Sequence, residues 1–193
     1  LEYKGLIMAD VEFDVNNNSR DSMFMRIKSG GVYRGATLLM PNFNLNGGAR
    51  ENRITITAGF KDKESNRSAL LGFAAKFSRD AKTNRRSVHV NVTPSYFTVD
   101  SLQWKLYARG IDIDSSRINV NDLRITHGSE QLHIHGVASR LRSDSIQLTL
   151  NEFDISPISQ ITSRYGYHFE GASTGYATVK SAFNNPEINA RIS

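Results

Sequence analysis

Apolar and polar residues alternate with a period of two along most of the chain. Between Ile54 and Phe60, for example, the apolar side chains are separated by Thr55 and Thr57. Because successive side chains of a strand point to opposite faces, each run predicts a β-strand with one apolar and one polar face. The main apolar positions are Ile7, Ala9, Val11, Phe13 and Val15; Ile54, Ile56, Ala58 and Phe60; Leu71, Phe73, Ala75 and Phe77; Val88, Val90 and Val92; Trp104, Leu106 and Ala108; Ile118 and Val120; Leu132 and Ile134; and Ile146, Leu148 and Leu150.

Clusters of Gly, Asn, Asp and Ser separate the runs and predict turns between antiparallel strands. They lie at residues 16–19, 29–31, 46–48, 80–84, 127–129 and 142–144. The parity of the apolar positions shifts by one residue between Ala108 and Ile111. It shifts again between Val120 and Leu123. A shift of this kind predicts a β-bulge that bends the strand, so we expect an all-β, curved, mainly antiparallel sheet.

Residues 157–165 depart from the alternation and predict one short helix. Pro157 suits the first position of a helix. Ile158, Ile161 and Tyr165 then fall on one stripe at helical spacing. A single amphipathic helix in a β-rich chain can cover one end or edge of a sheet.

The chain is predicted to be a single β-rich segment, residues 1–193, of a larger protein. A weak break is expected near Pro94, where one alternating stretch ends and Phe97 opens another. No stretch approaches the ~18 apolar residues that a membrane-spanning helix needs. We therefore expect any membrane anchor to lie elsewhere in the parent protein.

The chain carries a net charge of +5, with 24 Lys and Arg against 19 Asp and Glu. Such a charge can attract nucleic acid or anionic lipid headgroups. The basic residues are scattered, so no nucleic-acid partner is expected. The densest group, Arg79, Lys82, Arg85 and Arg86, is flanked by turn residues and is interpreted as a solvated loop.

Candidate catalytic and metal sites are few. The chain has no cysteine, which excludes disulfide scaffolds, thiolate zinc sites and cysteine nucleophiles. His133 and His135 share one face of a strand and are interpreted as polar-face residues rather than metal ligands. Asp112 and Asp114 are interpreted in the same way rather than as a general acid–base pair. With no nucleophile elbow or phosphate loop, we expect a protein that is not an enzyme and has no cofactor and no metal.

The second half of the chain contains a stereotyped series of short elements. In residues 97–158, Trp104 lies on a strand, and a later strand contains Gln131, Leu132, Ile134 and Gly136. The series closes on Phe-Asp-Ile-Ser-Pro-Ile, from Phe153 to Ile158. Residues 169–193 add a G-x-x-x-G opening and an Asn-Pro-x-ϕ-x-Ala-x-ϕ continuation. In order and spacing, these elements resemble the repeating pattern of TamB-like proteins of the AsmA superfamily, particularly those of Bacteroidetes type.

This resemblance covers residues 97–193 and implies both a fold and a function. It implies an elongated, curved trough (a β-taco) with a hydrophobic concave face. It also implies a periplasmic location, a parent protein anchored in the inner membrane and a barrel partner in the outer membrane. The implied role is to carry phospholipid across the periplasm or to assist outer-membrane biogenesis and protein assembly.

A lipid-conducting face would be lined by apolar residues of the alternating runs, because an acyl chain needs a continuous apolar surface. The lipid-facing candidates are Val88, Val90, Val92, Ile118, Val120, Leu132, Ile134, Ile146, Leu148 and Leu150. We also expect self-association through edge strands, whose backbone groups would be unpaired.

Alternation alone leaves two other hypotheses open. Ordinary core packing in a secreted or surface β-sandwich is the commoner use of such strands. That module would bind glycan or protein through loops such as residues 42–52. The third hypothesis is a structural β-segment with no ligand. The resemblance favours the lipid-binding trough over both.

Overall fold

The computed structural model describes residues 1–19, 21–99, 101–156 and 170–193. In these residues the regular structure is β, and every strand pair with a described register is antiparallel. The strands are β1 (Glu2–Tyr3), β2 (Leu6–Ser19), β3 (Ser22–Arg34), β4 (Thr37–Arg50), β5 (Arg53–Asp62), β6 (Arg67–Arg79), β7 (Arg86–Val99), β8 (Leu102–Asp114), β9 (Arg117–His127), β10 (Glu130–Ser139), β11 (Ser145–Asp154), β12 (Ala172–Lys180) and β13 (Glu187–Ile192). They form one sheet whose order follows the sequence from β1 to β13. The predicted all-β, antiparallel fold class is confirmed.

The chain divides into two compact units, Leu1–Leu106 and Tyr107–Ser193. The first unit contains β1 to β7 and the start of β8, and the second contains the rest of β8 and β9 to β13. Pro94, near which the sequence predicts a weak break, lies inside β7. The two units are described separately below.

Three of the predicted turns are confirmed, and they connect consecutive strands. Residues 80–84 join β6 to β7, residues 127–129 close the β9–β10 hairpin, and residues 142–144 lie between β10 and β11. In the β6–β7 turn the Asp80 carboxylate accepts hydrogen bonds from the backbone N–H groups of Lys82 and Thr83, at 3.0 and 2.7 Å. This local bonding explains why Asp and Asn mark the turn in the sequence.

The turns predicted at residues 29–31 and 46–48 are wrong, because both segments lie inside long strands. Their glycines make room for neighbouring side chains instead of reversing the chain. A Cβ atom at Gly31 would lie 2.8 Å from Leu38 Cδ1, and one at Gly48 would lie 3.1 Å from Thr55 Oγ1. Most of the predicted binding loop at residues 42–52 is likewise part of β4.

The turn predicted at residues 16–19 is also misplaced, because these residues lie in a strand. Strand β2 continues to Ser19, which pairs with Ser22 of β3. The run of three asparagines that predicted the turn therefore belongs to the end of a strand.

One of the two predicted bulges is confirmed by the register between β9 and β10. Ile134 pairs with Leu123, and Gly136 pairs with Val120. A two-residue step on β10 therefore faces a three-residue step on β9, which is the geometry of a β-bulge. In the other stretch with a parity shift, between Ala108 and Ile111, Gly110 has a φ of +74°, a left-handed conformation that glycine adopts readily.

The predicted helix at residues 157–165 lies outside the described residues. In the part of the chain that is described, no helix is long and apolar enough to cross a membrane.

Candidate functional site

In the first unit, the strand register collects the apolar positions of β2 to β7 on one side of the sheet. Residues directly opposite each other on paired strands point to the same face, so a chain of pairs defines a row across the sheet. One row is Val15, Met25, Gly47, Ile56, Phe73 and Val92. A neighbouring row is Phe13, Ile27, Leu45, Ala58 and Leu71. We call this surface the first apolar face.

In the second unit, the strand register collects the apolar positions of β9 to β13 on one side of the sheet. The rows are Ile125, Leu132, Leu150, Gly175 and Ile192; Leu123, Ile134, Leu148, Ala177 and Ala190; and Val120, Gly136, Ile146, Val179 and Ile188. Each row is apolar across five strands. We call this surface the second apolar face.

Both apolar faces keep substantial contact with solvent. On the first, Phe13 is 63% exposed and Phe73 is 39% exposed. On the second, Ile134 and Leu148 are partly exposed. In a sandwich, the inner faces of two sheets would bury such side chains against each other. Contiguous exposed apolar surface of this kind marks a binding site or an interaction surface.

All ten predicted lipid-facing residues lie on these faces. Val88, Val90 and Val92 pair with apolar residues of β6 on the first face, and the other seven lie on the second. Val120 and Leu150 are buried, whereas the other eight are partly exposed. The buried pair therefore offers less surface to a ligand than Ile134 or Leu148.

The prediction missed several members of the second apolar face. They are Leu123 and Ile125 beyond the bulge, and Val179, Ile188 and Ile192 on β12 and β13. The signal for the first two was the parity shift itself, because a bulge returns the following residues to the same face. The others follow from the pairing of β11, β12 and β13, which alternation alone does not specify.

The opposite side of the second unit is polar. Asp122, in the bulge, accepts a hydrogen bond from Arg124 Nε at 2.8 Å and lies 3.0 Å from His133 Nε2. The His133 and His135 rings stack with their centroids 4.8 Å apart. In the described residues, no group of three or more His, Asp or Glu is placed to hold a metal ion.

Asp114 has a structural task that its sequence position did not reveal. Its Oδ1 accepts hydrogen bonds from the Ser116 hydroxyl and backbone N–H, both at 2.7 Å, and from the Arg117 N–H at 3.0 Å. These bonds, led by the one from the Ser116 hydroxyl, lower the pKa of Asp114. The carboxylate is thereby held in the turn between β8 and β9.

The polar side of the first unit contains an open depression of about 640 Å³. Charged and amide side chains line it, among them Asp10, Arg26 and Asn44, and the exposed Glu12–Lys28 ion pair crosses it at 3.5 Å. A depression of this composition does not suit an acyl chain, because covering it would remove charged groups from water. The apolar faces are therefore the better candidate site.

No family model, curated protein or solved structure matches the chain. Its function is therefore inferred from its own residues and from the geometry of the two faces.

Proposed function

We propose that this chain is a periplasmic segment of a TamB/AsmA-like envelope protein and that its apolar faces bind the acyl chains of phospholipid. The observation that carries the proposal is the set of apolar rows, which cross five or six strands and stay partly exposed. In the parent protein, this binding would help to conduct phospholipid and support outer-membrane biogenesis and protein assembly.

The energetics of acyl-chain binding suit such a surface. Removing apolar area from water contributes about 2.5 kcal/mol per 100 Å², and the contact needs no fixed orientation. Gly47, Gly136 and Gly175 interrupt the rows at single positions. An extended hydrocarbon chain would contact the Ile, Leu and Phe side chains of the rows around them.

The cellular setting comes from the resemblance of residues 97–193 to TamB-like proteins. It includes the periplasmic location, the inner-membrane anchor of the parent protein and the outer-membrane barrel partner. These features are part of the proposal and need tests on the parent protein.

The described residues do not have the two-sheet architecture that the alternative, a glycan- or protein-binding sandwich, requires. A sandwich needs two packed sheets, whereas the thirteen described strands belong to one. Its binding loop at residues 42–52 is mostly strand. We therefore favour the lipid-binding function over this alternative.

Native mass spectrometry of the purified chain, paired with lipid extraction, tests the proposal. The test variant is Ile134→Asp/Leu148→Asp, which places two carboxylates directly opposite each other on the second apolar face. The matched control is Gln147→Asp/Thr149→Asp, which adds the same charge to the other side of β11. Circular dichroism would confirm that each variant is folded.

We expect phospholipid to co-purify with the wild type and with the control, and to be absent from the folded test variant. Burying a carboxylate against hydrocarbon is unfavourable. A wild type that is free of lipid, and stays so after phospholipid is added, would contradict the proposal. So would equal lipid retention by both variants.

A further inference from the structure

One end of the sheet in the first unit concentrates basic residues from distant parts of the sequence. The β4–β5 turn and the end of β6 meet there: Phe77 N donates to Asn52 O at 2.8 Å, and Asn52 Nδ2 donates to Phe77 O at 2.7 Å. Glu51 N donates to Asp21 O at 3.3 Å, which adds the β2–β3 turn to the same end. Three hairpins therefore present their charges together.

Five exposed cations at this end form like-charged pairs across strands. We call them the basic end: Arg50, Arg53, Lys76, Arg79 and Arg86. Arg53 lies opposite both Arg50 and Lys76, and Arg79 lies opposite Arg86. Like charges placed directly opposite each other destabilise a sheet. In the described part of the chain, none of the five forms an ion pair that would offset this cost.

The neighbouring acid Asp80 is already engaged by its own turn. It accepts hydrogen bonds from the Thr83 N–H at 2.7 Å, the Thr83 hydroxyl at 2.9 Å and the Lys82 N–H at 3.0 Å. These bonds, with a smaller contribution from Arg85, lower the pKa of the Asp80 carboxyl. Asp80 therefore orders the turn that carries Lys82 and Arg85. Glu51 and Asp21 lie in the neighbouring turns, but the basic residues of this end outnumber its acids among the described residues.

The basic end lies directly beside the first apolar face. Phe77 pairs with Val88 on that face, and the next pair on the same side is Arg79 with Arg86. Ser78 and Ser87, between them, point to the other side. The apolar rows of β6 and β7 thus stop at two guanidinium groups. This order of apolar surface followed by paired cations matches the order of acyl chain and phosphate in an anionic phospholipid.

We propose that the basic end binds the headgroup phosphate of an anionic phospholipid, with Arg79 and Arg86 as its main ligands. Guanidinium groups bind phosphate oxygens through paired, charge-assisted hydrogen bonds. Arg53, Lys76 and Arg50 add positive potential from the other side of the same end. The inference rests on the proposed function for the placement of the acyl chains, whereas the headgroup site can be tested alone.

The opposite end of β5 and β6 provides a control, because it carries exposed lysines at the far end of the same strands from the basic end. In that turn Arg67 Nη2 lies 3.1 Å from Asp62 Oδ2. Lys61 and Lys63 are exposed there. The variant Lys61→Gln/Lys63→Gln therefore removes as much charge as Arg79→Gln/Arg86→Gln without touching the basic end.

Co-sedimentation of the full chain with vesicles tests the site. One set of vesicles contains phosphatidylcholine alone, and the other contains added phosphatidylglycerol. We expect the wild type to prefer the anionic vesicles. Arg79→Gln/Arg86→Gln should bind them about thirtyfold more weakly, the effect expected when two basic side chains leave an anionic lipid surface. The lysine variant should stay within about threefold of the wild type, since its charges lie at the far end.

Equal binding of both vesicle types by the wild type would overturn the headgroup site, and so would equal weakening of binding in the two variants. Full competition by soluble glycerol phosphate would also overturn it, because it would indicate a site for free phosphate. Tighter binding to duplex DNA than to vesicles, lost in the arginine variant, would assign the basic end to nucleic acid instead. If neutral phospholipid is never retained but binding to anionic vesicles still depends on Arg79 and Arg86, the headgroup site stands and the acyl-chain function fails.

Discussion

The Ser95 hydroxyl accepts a hydrogen bond from the backbone N–H of Gly72 at 2.9 Å, where β6 and β7 lose their one-to-one pairing. Between Leu70 and Phe73 the register shifts, so that three steps on β6 face four on β7. The same hydroxyl donates to the Thr93 carbonyl at 2.8 Å. Both Ser95 and Gly72 are buried. A side chain thus replaces the backbone partner that the bulge removes.

We predict that Ser95→Ala lowers the free energy of unfolding by about 1–3 kcal/mol, because it leaves the buried Gly72 N–H without its acceptor. Ser78→Ala is the matched control, since Ser78 is exposed on the same pair of strands; its effect should stay within about 0.5 kcal/mol. Urea unfolding followed by circular dichroism measures both. Equal midpoints for the two variants would show that the Ser95 hydroxyl does not stabilise the bulge.

Gly136 has a φ of +108° and faces the Ser145 carbonyl oxygen, which an added Cβ would overlap. We predict that Gly136→Ala lowers the free energy of unfolding by roughly 2 kcal/mol or more, from backbone strain and the displaced β10–β11 pair. In Gly128→Ala the φ of +55° is also unfavourable, but no atom lies within 4 Å of the new Cβ. Its cost should be about 1 kcal/mol. The reverse order in thermal unfolding would contradict the close contact at Gly136.

Asp62 orders the β5–β6 turn through its ionised carboxylate. The Ser65 hydroxyl, then the Arg67 guanidinium, lower its pKa from 3.8 to about 2. Because the folded pKa is below the unfolded value, the stabilisation is complete above about pH 4. It is lost as the pH falls through about 2. We predict that carbon NMR of the Asp62 carboxyl gives a midpoint near 2 and that Ser65→Ala raises it; a midpoint at the ordinary value for aspartate in the wild type would show that these bonds do not form in solution.

The sequence predicts the strands well because a period of two needs only local information. The sequence also predicts the bulge between Val120 and Leu123. The apolar positions shift there by one residue, and they can stay on one face only if the strand contains an extra residue. The glycine pairs led to wrong turn predictions. Glycine is common in turns, but Gly31 and Gly48 lie in long strands, where they accommodate neighbouring side chains. Local sequence cannot separate these two uses of glycine.

The parts of the site that escaped prediction depend on strand register. From the sequence, Arg79 and Arg86 are predicted to lie in a solvated loop. The strand pairing places them at the end of the first apolar face, near Arg53 and Lys76. The role of Ser29 also depends on strand pairing, because its hydroxyl donates a 2.6 Å hydrogen bond to the Ala9 carbonyl of the neighbouring strand. Contacts between strands that are distant in sequence are not encoded in local alternation.

Ile56 and Thr55 are neighbours on β5 with opposite orientations, and both are exposed. Ile56 lies in the row with Gly47 and Phe73 on the first apolar face. We predict that a photoreactive amino acid at Ile56 crosslinks to phospholipid in vesicles or cells, whereas the same residue at Thr55 does not. Mass spectrometry of the crosslinked peptides identifies the adduct. The two sites share a strand and its depth in the sheet, so only their orientation differs. Equal lipid adducts at both positions would mean that the sheet associates with lipid without using its apolar face, and lipid adducts at Thr55 alone would assign lipid contact to the polar side.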